Sequence, residues 1–235
     1  MSLKLDNILI TGRTFEEYRA FFNLDIEKLK NKKVLDCPSG ASSFVAQAKT
    51  YEINAKGSDI LYHFSTEEIL SQGLKSIDKI YEDTSWMDGF NFDFYGSIER
   101  HKSYREEALR SFCKDYNPLE YSHNELPKLD FEDNAFDLLL SSHLLFVYGD
   151  RFDYDFHRDS ILEMLRVAKE VRIFPLVDFK NSRVDERQNF SPYLYRVLED
   201  LQEYNCAIEK VNFEFQPRAG YMLKIQKEKE DETTI

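Results

Sequence analysis

Hydrophobic positions along this chain follow two periods, and the places where the period changes mark its elements. Phe15, Tyr18, Phe21 and Phe22 recur at three- and four-residue spacing, one face of a helix, with Thr14 as N-cap and Glu17 completing a capping box. A charged link over 27–33 leads into Val34-Leu35-Asp36, a short buried-type strand, and 43–50 reads as the helix after it. A second strand over 54–60 ends in Gly57-Ser58-Asp59-Ile60. The rhythm then breaks. Across 61–116 there is no strand pattern; helices are predicted at 66–74 and 98–113, around an aromatic segment with Trp86, Phe90, Phe92, Phe94 and Tyr95. Connections in α/β units usually run about two to six residues, so 61–116 reads as a helical, aromatic insertion or lid. Its aromatic rings suit a substrate pocket, a cap over a ligand, or the insertion's own core.

Regularity returns with a short strand at 119–121 and with Phe136-Asp137-Leu138-Leu139-Leu140-Ser141, apolar on both faces as central parallel strands are. An amphipathic helix at 158–168, a β run at 170–177 and a helix at 192–204 follow. Two strands, 206–215 and 221–226, joined across Pro217 and Gly220, form a hairpin signature, and the tail after 226 is a charged, fraying end. Strands alternating with helices imply α/β architecture. The expected fold is a three-layer sandwich with a mostly parallel seven-stranded sheet, the last strand antiparallel, in one domain spanning 1–235.

Composition narrows the ligands. The 235 residues are 42% hydrophobic and include 19 Phe and 14 Tyr, enough for a sizeable core. A net charge of -12 disfavours nucleic acid and anionic membranes, whose recognition relies on basic faces, and points to a small molecule or a protein as partner. Cys37, Cys113 and Cys206 are odd in number and far apart, with no CxxC or His/Cys ligand spacing. They read as reduced thiols, and no metal site is expected. No apolar run approaches the ~20 residues of a membrane helix, and 1–13 lacks a signal-type apolar stretch, so a cytoplasmic protein is expected.

The candidate chemistry lies at Val34 to Phe44, a strand, a turn of small residues and a helix start. Small residues let a ligand approach the backbone, and exposed N–H groups suit its oxygens. Asp59, at the next strand end, suits the paired hydroxyls of a ribose. This segment resembles the first motif of class I S-adenosylmethionine-dependent methyltransferases, with Gly40 matching a family glycine and Pro38 and Ser42 replacing two others. The 126–146 segment, LPKLDFEDNAFDLLLSSHLLF, resembles the family's fourth-strand region, and the terminal hairpin its last two strands.

The resemblance implies a Rossmann-like fold that binds S-adenosylmethionine, with S-adenosylhomocysteine as product. It implies that Asp36 orients the loop near the methionine amino group, while Pro38, Ser39, Gly40 and Ala41 pass beneath methionine and ribose. Asp59 would hold the ribose and Ile60 the adenine, with Asn124, Glu125 and Leu126 also at the adenine. Ser141, Ser142 and His143 would lie beside the methyl group, His143 as a candidate general base, and Arg13 would meet the methionine carboxylate. His157 reads as structural or exposed, and His63, His101 and His123 lack a ligand pattern. Asp150, Asp153 and Asp155 read as a solvated acidic face rather than a calcium loop.

The absence of Asp/Asn-Pro-Pro-Tyr after the fourth strand disfavours base amino methylation; Ser141-Ser142-His143 stands there. Two further readings stay open: a non-catalytic S-adenosylmethionine-binding regulator, and a nicotinamide-dependent oxidoreductase. The latter lacks GxGxxG because Pro38 and Ser43 occupy its first and third positions.

Overall fold

A computed structural model describes residues 9–149, 151–178, 190–216 and 219–227. The N-terminal helix α1 (Phe15–Phe21) starts on the expected box: Thr14 Oγ1 accepts from Glu17 N, and Glu17 accepts from Thr14 N. The charged link contains a helical turn, α2 (Ile26–Leu29), because Asp25 caps it by accepting from Lys28 N. Then follow β1 (Lys33–Asp36), α3 (Phe44–Ala48) and β2 (Asn54–Ser58). The 61–116 region supplies two long helices, α4 (Thr66–Glu82) and α5 (Ile98–Asp115). Helix α4 outruns its predicted end because Ser76 and Ile77 continue its buried face.

The second half adds β3 (Tyr121–Ser122), β4 (Phe136–Ser142), α6 (Tyr154–Val167), β5 (Ala168–Phe174), α7 (Pro192–Asp200), β6 (Asn205–Lys210) and β7 (Tyr221–Gln226). Helix α6 begins before the predicted 158 because Asp153 caps it, accepting from Phe156 N at 2.9 Å. Strand β6 stops at Lys210 rather than 215, since Phe213 and Phe215 turn into an aromatic cluster against Phe21, Phe174 and Phe94. Pro217 of the predicted turn and Asp150 of the acidic loop lie outside the described residues. Asp155 pairs with Arg158 at 3.1 Å, so Asp153 and Asp155 serve the start of α6.

The seven strands stand in the order β3-β2-β1-β4-β5-β7-β6. All neighbours from β3 to β5 pair in parallel, and β7 enters antiparallel between β5 and β6. This is the mostly parallel sheet with an antiparallel last strand that the pattern predicted. Along β1 and β4 successive residues face opposite layers: Val34, Leu138 and Leu140 join one apolar cluster, Leu35 and Leu139 the other. The first cluster includes residues of α1, α3, α4 and α5, and the second includes residues of α6 and α7. Full burial of each such side chain contributes about 1.5–3 kcal/mol. Among the described residues no helix is long and apolar enough to cross a membrane.

Strand β1 has β2 on one side and β4 on the other. The connections therefore leave in opposite directions and open a crevice at the carboxyl ends, where open α/β sheets bind ligands. The register aligns Asp36 with Gly57 and Leu140, so the strand ends converge on that crevice.

Candidate functional site

The β1–α3 turn is held from three directions. Ser39 N donates to Ser58 O at 3.0 Å, Gly40 N to Asp59 Oδ2 at 2.7 Å, and Ser43 N to Arg13 O at 3.0 Å. Tyr62 Oη donates to Gly40 O at 2.8 Å, with its ring stacked on Phe112 at 5.5 Å. The Cys37–Pro38 peptide is cis. Gly40 has φ +56°, a left-handed conformation that a side chain adopts only under strain, and a Cβ there would meet nothing within 4 Å. Open space above a pinned backbone is what a closely approaching ligand requires.

Asp36, the last residue of β1, is fully buried, and among the described residues no cation pairs with it. Tyr18 Oη donates to Oδ1 at 2.8 Å and Ser39 Oγ to Oδ2 at 2.7 Å. Burial pushes its pKa up to about 8, Asp59 adds to the rise, and the two hydroxyls oppose it. Asp59 is also raised by burial, against backbone hydrogen bonds from Leu61 and Gly40. Both its oxygens are engaged, by Leu61 N at 2.8 Å and Gly40 N, and each retains a lone pair for a ribose hydroxyl.

The segment entering α1 crosses this turn closely. A Cβ on Gly12 would stand 2.3 Å from Ala41 O and 2.9 Å from Ala108 Cβ. Gly12→Ala is therefore expected to cost about 1–3 kcal/mol by overpacking. A thermal melt by circular dichroism checks this, and an unchanged midpoint would contradict it. Next to Gly12, the half-buried Arg13 guanidinium donates to Thr11 O, Thr11 Oγ1 and Gly12 O, at 3.2–3.3 Å. Among the described residues no carboxylate pairs with it, and burial lowers its pKa. A desolvated cation without a counter-charge is a place for an anion.

The insertion is fastened here too. Arg105 of α5 is buried in direct contact with Glu17, donates to Gly12 O at 2.6 Å, and meets Tyr95 Oη at 3.2 Å. Tyr95 Oη donates to Glu17 Oε1 at 2.6 Å. Farther out, Trp86, Phe90, Phe92, Tyr95 and His101 pack ring against ring, with Phe90 reaching Phe215.

At the end of β4, Ser141 Oγ is buried without a hydrogen-bond partner in the structure. Ser142 Oγ bonds His143 Nδ1 at 2.7 Å. His143 has φ +58°, and its N–H donates to Phe174 O at 2.8 Å. Its ring lies among Phe21 at 5.2 Å, Phe174 at 5.6 Å and Phe215 at 6.3 Å. Burial, then the charges of Arg13 and Arg105, hold its pKa well below the usual value, so the imidazole is neutral. His157, by contrast, is structural: it is buried and its Nδ1 bonds Asp153 O at 2.7 Å.

At the end of β3, Asn124 is turned inward. Its Nδ2 donates to Ser58 Oγ at 3.0 Å and Ser122 Oγ at 3.1 Å, and its Oδ1 accepts from Asp130 N at 2.9 Å. Glu125 is exposed and forms a backbone bridge with Lys128; Leu126 packs against the second apolar cluster. Ile60 is half-buried in the turn after Asp59, beside the exposed ring pair His63 and His123, 5.5 Å apart.

The structure thus joins Asp36, Ser39, Gly40 and Asp59 in one bonded chain and sets Arg13 against the same turn. Pro38 and the buried Ala41 lie within that turn. Sequence reasoning missed Tyr62 and Arg105, and it read Tyr18 and Tyr95 without the hydrogen bonds by which they hold its parts together. Tyr18 carried only its helical spacing, and Arg105 only a charged-helix pattern. No group of three or more His, Cys, Asp or Glu among the described residues could hold a metal ion.

No family model matches the chain. Among solved structures, it is similar to a putative S-adenosyl-L-methionine-dependent methyltransferase from Methanococcus maripaludis, at 15% identity and a TM-score of 0.45 over 92% of this chain and 84% of that one. It is also similar to magnesium protoporphyrin IX methyltransferase from Synechocystis PCC 6803 with S-adenosylmethionine bound. That likeness has 12% identity and a TM-score of 0.47, over 91% of this chain and 78% of that chain. In sequence, it is 32% identical to the uncharacterized protein MJ0045 of Methanocaldococcus jannaschii over 96% of its own length and 99% of the relative's. At that identity over nearly the whole of both chains, the protein belongs to the same family as MJ0045.

Proposed function

We propose that the chain binds S-adenosylmethionine in the crevice at the ends of β1, β2 and β4 and methylates a small-molecule acceptor, releasing S-adenosylhomocysteine. The observation that carries this reading is the Asp36–Ser39–Gly40–Asp59 chain beside an unpaired, half-buried Arg13. The residues fit the cofactor's chemistry. Gly40 leaves open space for close approach, Asp36 awaits a cation, Arg13 awaits a carboxylate, and Asp59 keeps lone pairs for hydroxyls. The supporting likeness is that of the sequence motifs and the strand order.

Bound there, the cofactor supplies a methyl group on a positively charged sulfur. Arg13 would hold the methionine carboxylate and Asp36 its ammonium. Pro38, Ser39, Gly40 and Ala41 would lie beneath the methionine and ribose, and Ile60 against the adenine. Asn124 would contribute by fixing Ser58 and the 124–130 turn, with Glu125 and Leu126 at its outer edge. Ser141 and Ser142 would flank the methyl group, and the 61–116 insertion would close over it. Positioning and exclusion of water supply much of the acceleration in such a transfer.

Calorimetry with S-adenosylmethionine and S-adenosylhomocysteine tests the reading, and no heat from either at millimolar concentration would overturn it. Asp59→Ala removes charge-assisted hydrogen bonds worth about 1.5–3 kcal/mol, so its Kd is expected to rise by about 10- to 150-fold. An unchanged Kd would remove Asp59 from the site. Binding without turnover across a broad acceptor screen would favour the non-catalytic regulator instead.

A further inference from the structure

We propose that a cleft on the outer side of α1 is a second ligand site, which binds a free aromatic amino acid with Arg19 on its carboxylate and Glu16 on its ammonium. The site lies apart from the crevice at the strand ends and does not depend on the cofactor reading. Shape, free polar groups and charge point to it separately.

Shape comes first. Glu16, Arg19 and Ala20 form one stripe of α1, at i, i+3 and i+4, and Asn23 follows just past the helix end. They line a cleft of about 570 Å³, within the ~300–1,000 Å³ of small-molecule sites. The same cleft is lined by Phe94 of the insertion and Tyr104 of α5, whose rings meet edge to face at 6.1 Å. Ala20 and both rings belong to the first apolar layer, so the cleft has an apolar floor. Glu17 and Tyr18 take the inner side of the helix, on Arg105 and Asp36. Helix α1 therefore stands between the cleft and the crevice.

Most polar groups around the cleft are already engaged. Asn23 Nδ2 donates to Lys210 O at 2.9 Å, and its Oδ1 accepts from Asn212 N at 3.3 Å. Asp25 caps α2 through Lys28 N and pairs with Lys28 Nζ at 3.4 Å. Glu16 and Arg19 differ. Both are exposed, and among the described residues neither side chain has a hydrogen bond or an ion pair. They are neighbours on the helix surface, yet they do not pair with each other.

Charge then selects the ligand. A free cation beside a free anion fits a molecule that carries both charges on one carbon, as an amino acid does. A phosphate would meet Arg19 but also Glu16 and Asp25, and a metal ion or an amine alone would meet Arg19. With both charges held at the α1 stripe, an aromatic side chain lies against Phe94 and Tyr104, where offset or edge-to-face packing is favourable. Exposed charge pairs contribute up to about fivefold each in affinity, so loss of either should be measurable and neither should dominate.

The test titrates the full chain with L-phenylalanine, L-tyrosine and L-tryptophan, followed by NMR of the protein. The comparators are 3-phenylpropionate without the ammonium, phenethylamine without the carboxylate, and glycine without the ring. At least one aromatic amino acid is expected to bind about fivefold or more tightly than glycine and than either half-molecule. Arg19→Gln should weaken that amino acid and 3-phenylpropionate by about three- to fivefold while leaving phenethylamine unchanged. Glu16→Gln should weaken the amino acid and phenethylamine and spare 3-phenylpropionate. Both residues are exposed, so both variants should melt as the unaltered chain does. Absence of binding by all three aromatic amino acids at about 10 mM would overturn the proposal. So would a half-molecule or glycine binding equally well, or affinity unchanged in both variants.

Discussion

Asp36→Asn is expected to stabilise the free protein at neutral and alkaline pH while abolishing tight cofactor binding. The carboxyl is buried against two hydroxyls, and its pKa rises from the ordinary 3.8 to about 8, chiefly through burial. In the unfolded chain the same group ionises near its ordinary value. Between about pH 4 and about pH 8 the folded state therefore holds a proton that the unfolded state has released. Stability contributed by the protonated group is present at acid pH and is lost as pH rises to the folded value, at about 1.4 kcal/mol per unit, then levels off. Asparagine resembles the protonated acid, accepts from one hydroxyl and donates to the other, and removes that loss.

Thermal midpoints measured for both proteins across the range should diverge steadily with pH and become parallel above about 8; parallel curves throughout would contradict the buried, cation-free carboxyl. On the proposed reading, the cofactor's ammonium must expel this proton. Affinity should then climb by up to about tenfold per unit below about pH 8, with about one proton released in calorimetry across buffers of different ionisation heat. Asp36→Asn should lose both the affinity and the proton release.

Breaking the Arg105–Glu17 pair is expected to be among the most destabilising single changes in the chain. Both groups are almost completely buried, at 3% and 0% exposure. Arg105→Met leaves the Glu17 carboxylate without its cation and Gly12 O without the shorter of its two hydrogen bonds, keeping only that from Arg13 at 3.3 Å. Loss of one partner of such a pair costs about 3–5 kcal/mol. For a chain of 235 residues this is a fall of about 6–20 °C in Tm. Replacing both as Glu17→Met/Arg105→Met removes the stranded charge, so the double variant should be more stable than Arg105→Met alone. A single-variant loss under about 1 kcal/mol in urea denaturation would show that the pair does not fasten α5 to α1. Because the same pair joins the insertion to the segment carrying Arg13, Arg105→Met should also weaken cofactor binding beyond what unfolding explains.

The residue pattern by itself determined where elements form and which face each one buries. The Phe15–Phe22 spacing and the Thr14/Glu17 box specify α1 locally, because capping and helical periodicity act within a few residues. The apolar run at β4 and the terminal hairpin identified a mostly parallel sheet with one reversed strand, and Asp36 and Asp59 fell at strand ends as their spacing required. Periodicity, however, reports that a face is buried and not what buries it. Strand β6 could not be cut at Lys210 from its own residues, because Phe213 and Phe215 leave the sheet for partners as distant as Phe21 and Phe94. Asp59 read as a ribose ligand, while only the fold shows that it also pins Gly40 N.

Asn124 is similar: its amide is turned onto Ser58, 66 residues away in the chain. Glu17 read only as the capping-box residue of α1 and Arg105 only as part of a charged helix; close packing alone made them, 88 residues apart, an internal pair. Tertiary structure also decided the electrical state of the crevice. Desolvation of Asp36, Arg13 and His143 depends on how many layers cover them, and that coverage comes from elements folded over the turn rather than from neighbours in sequence. The Val34–Phe44 segment was legible as a strand, a turn of small residues and a helix start; its charge and protonation state were not.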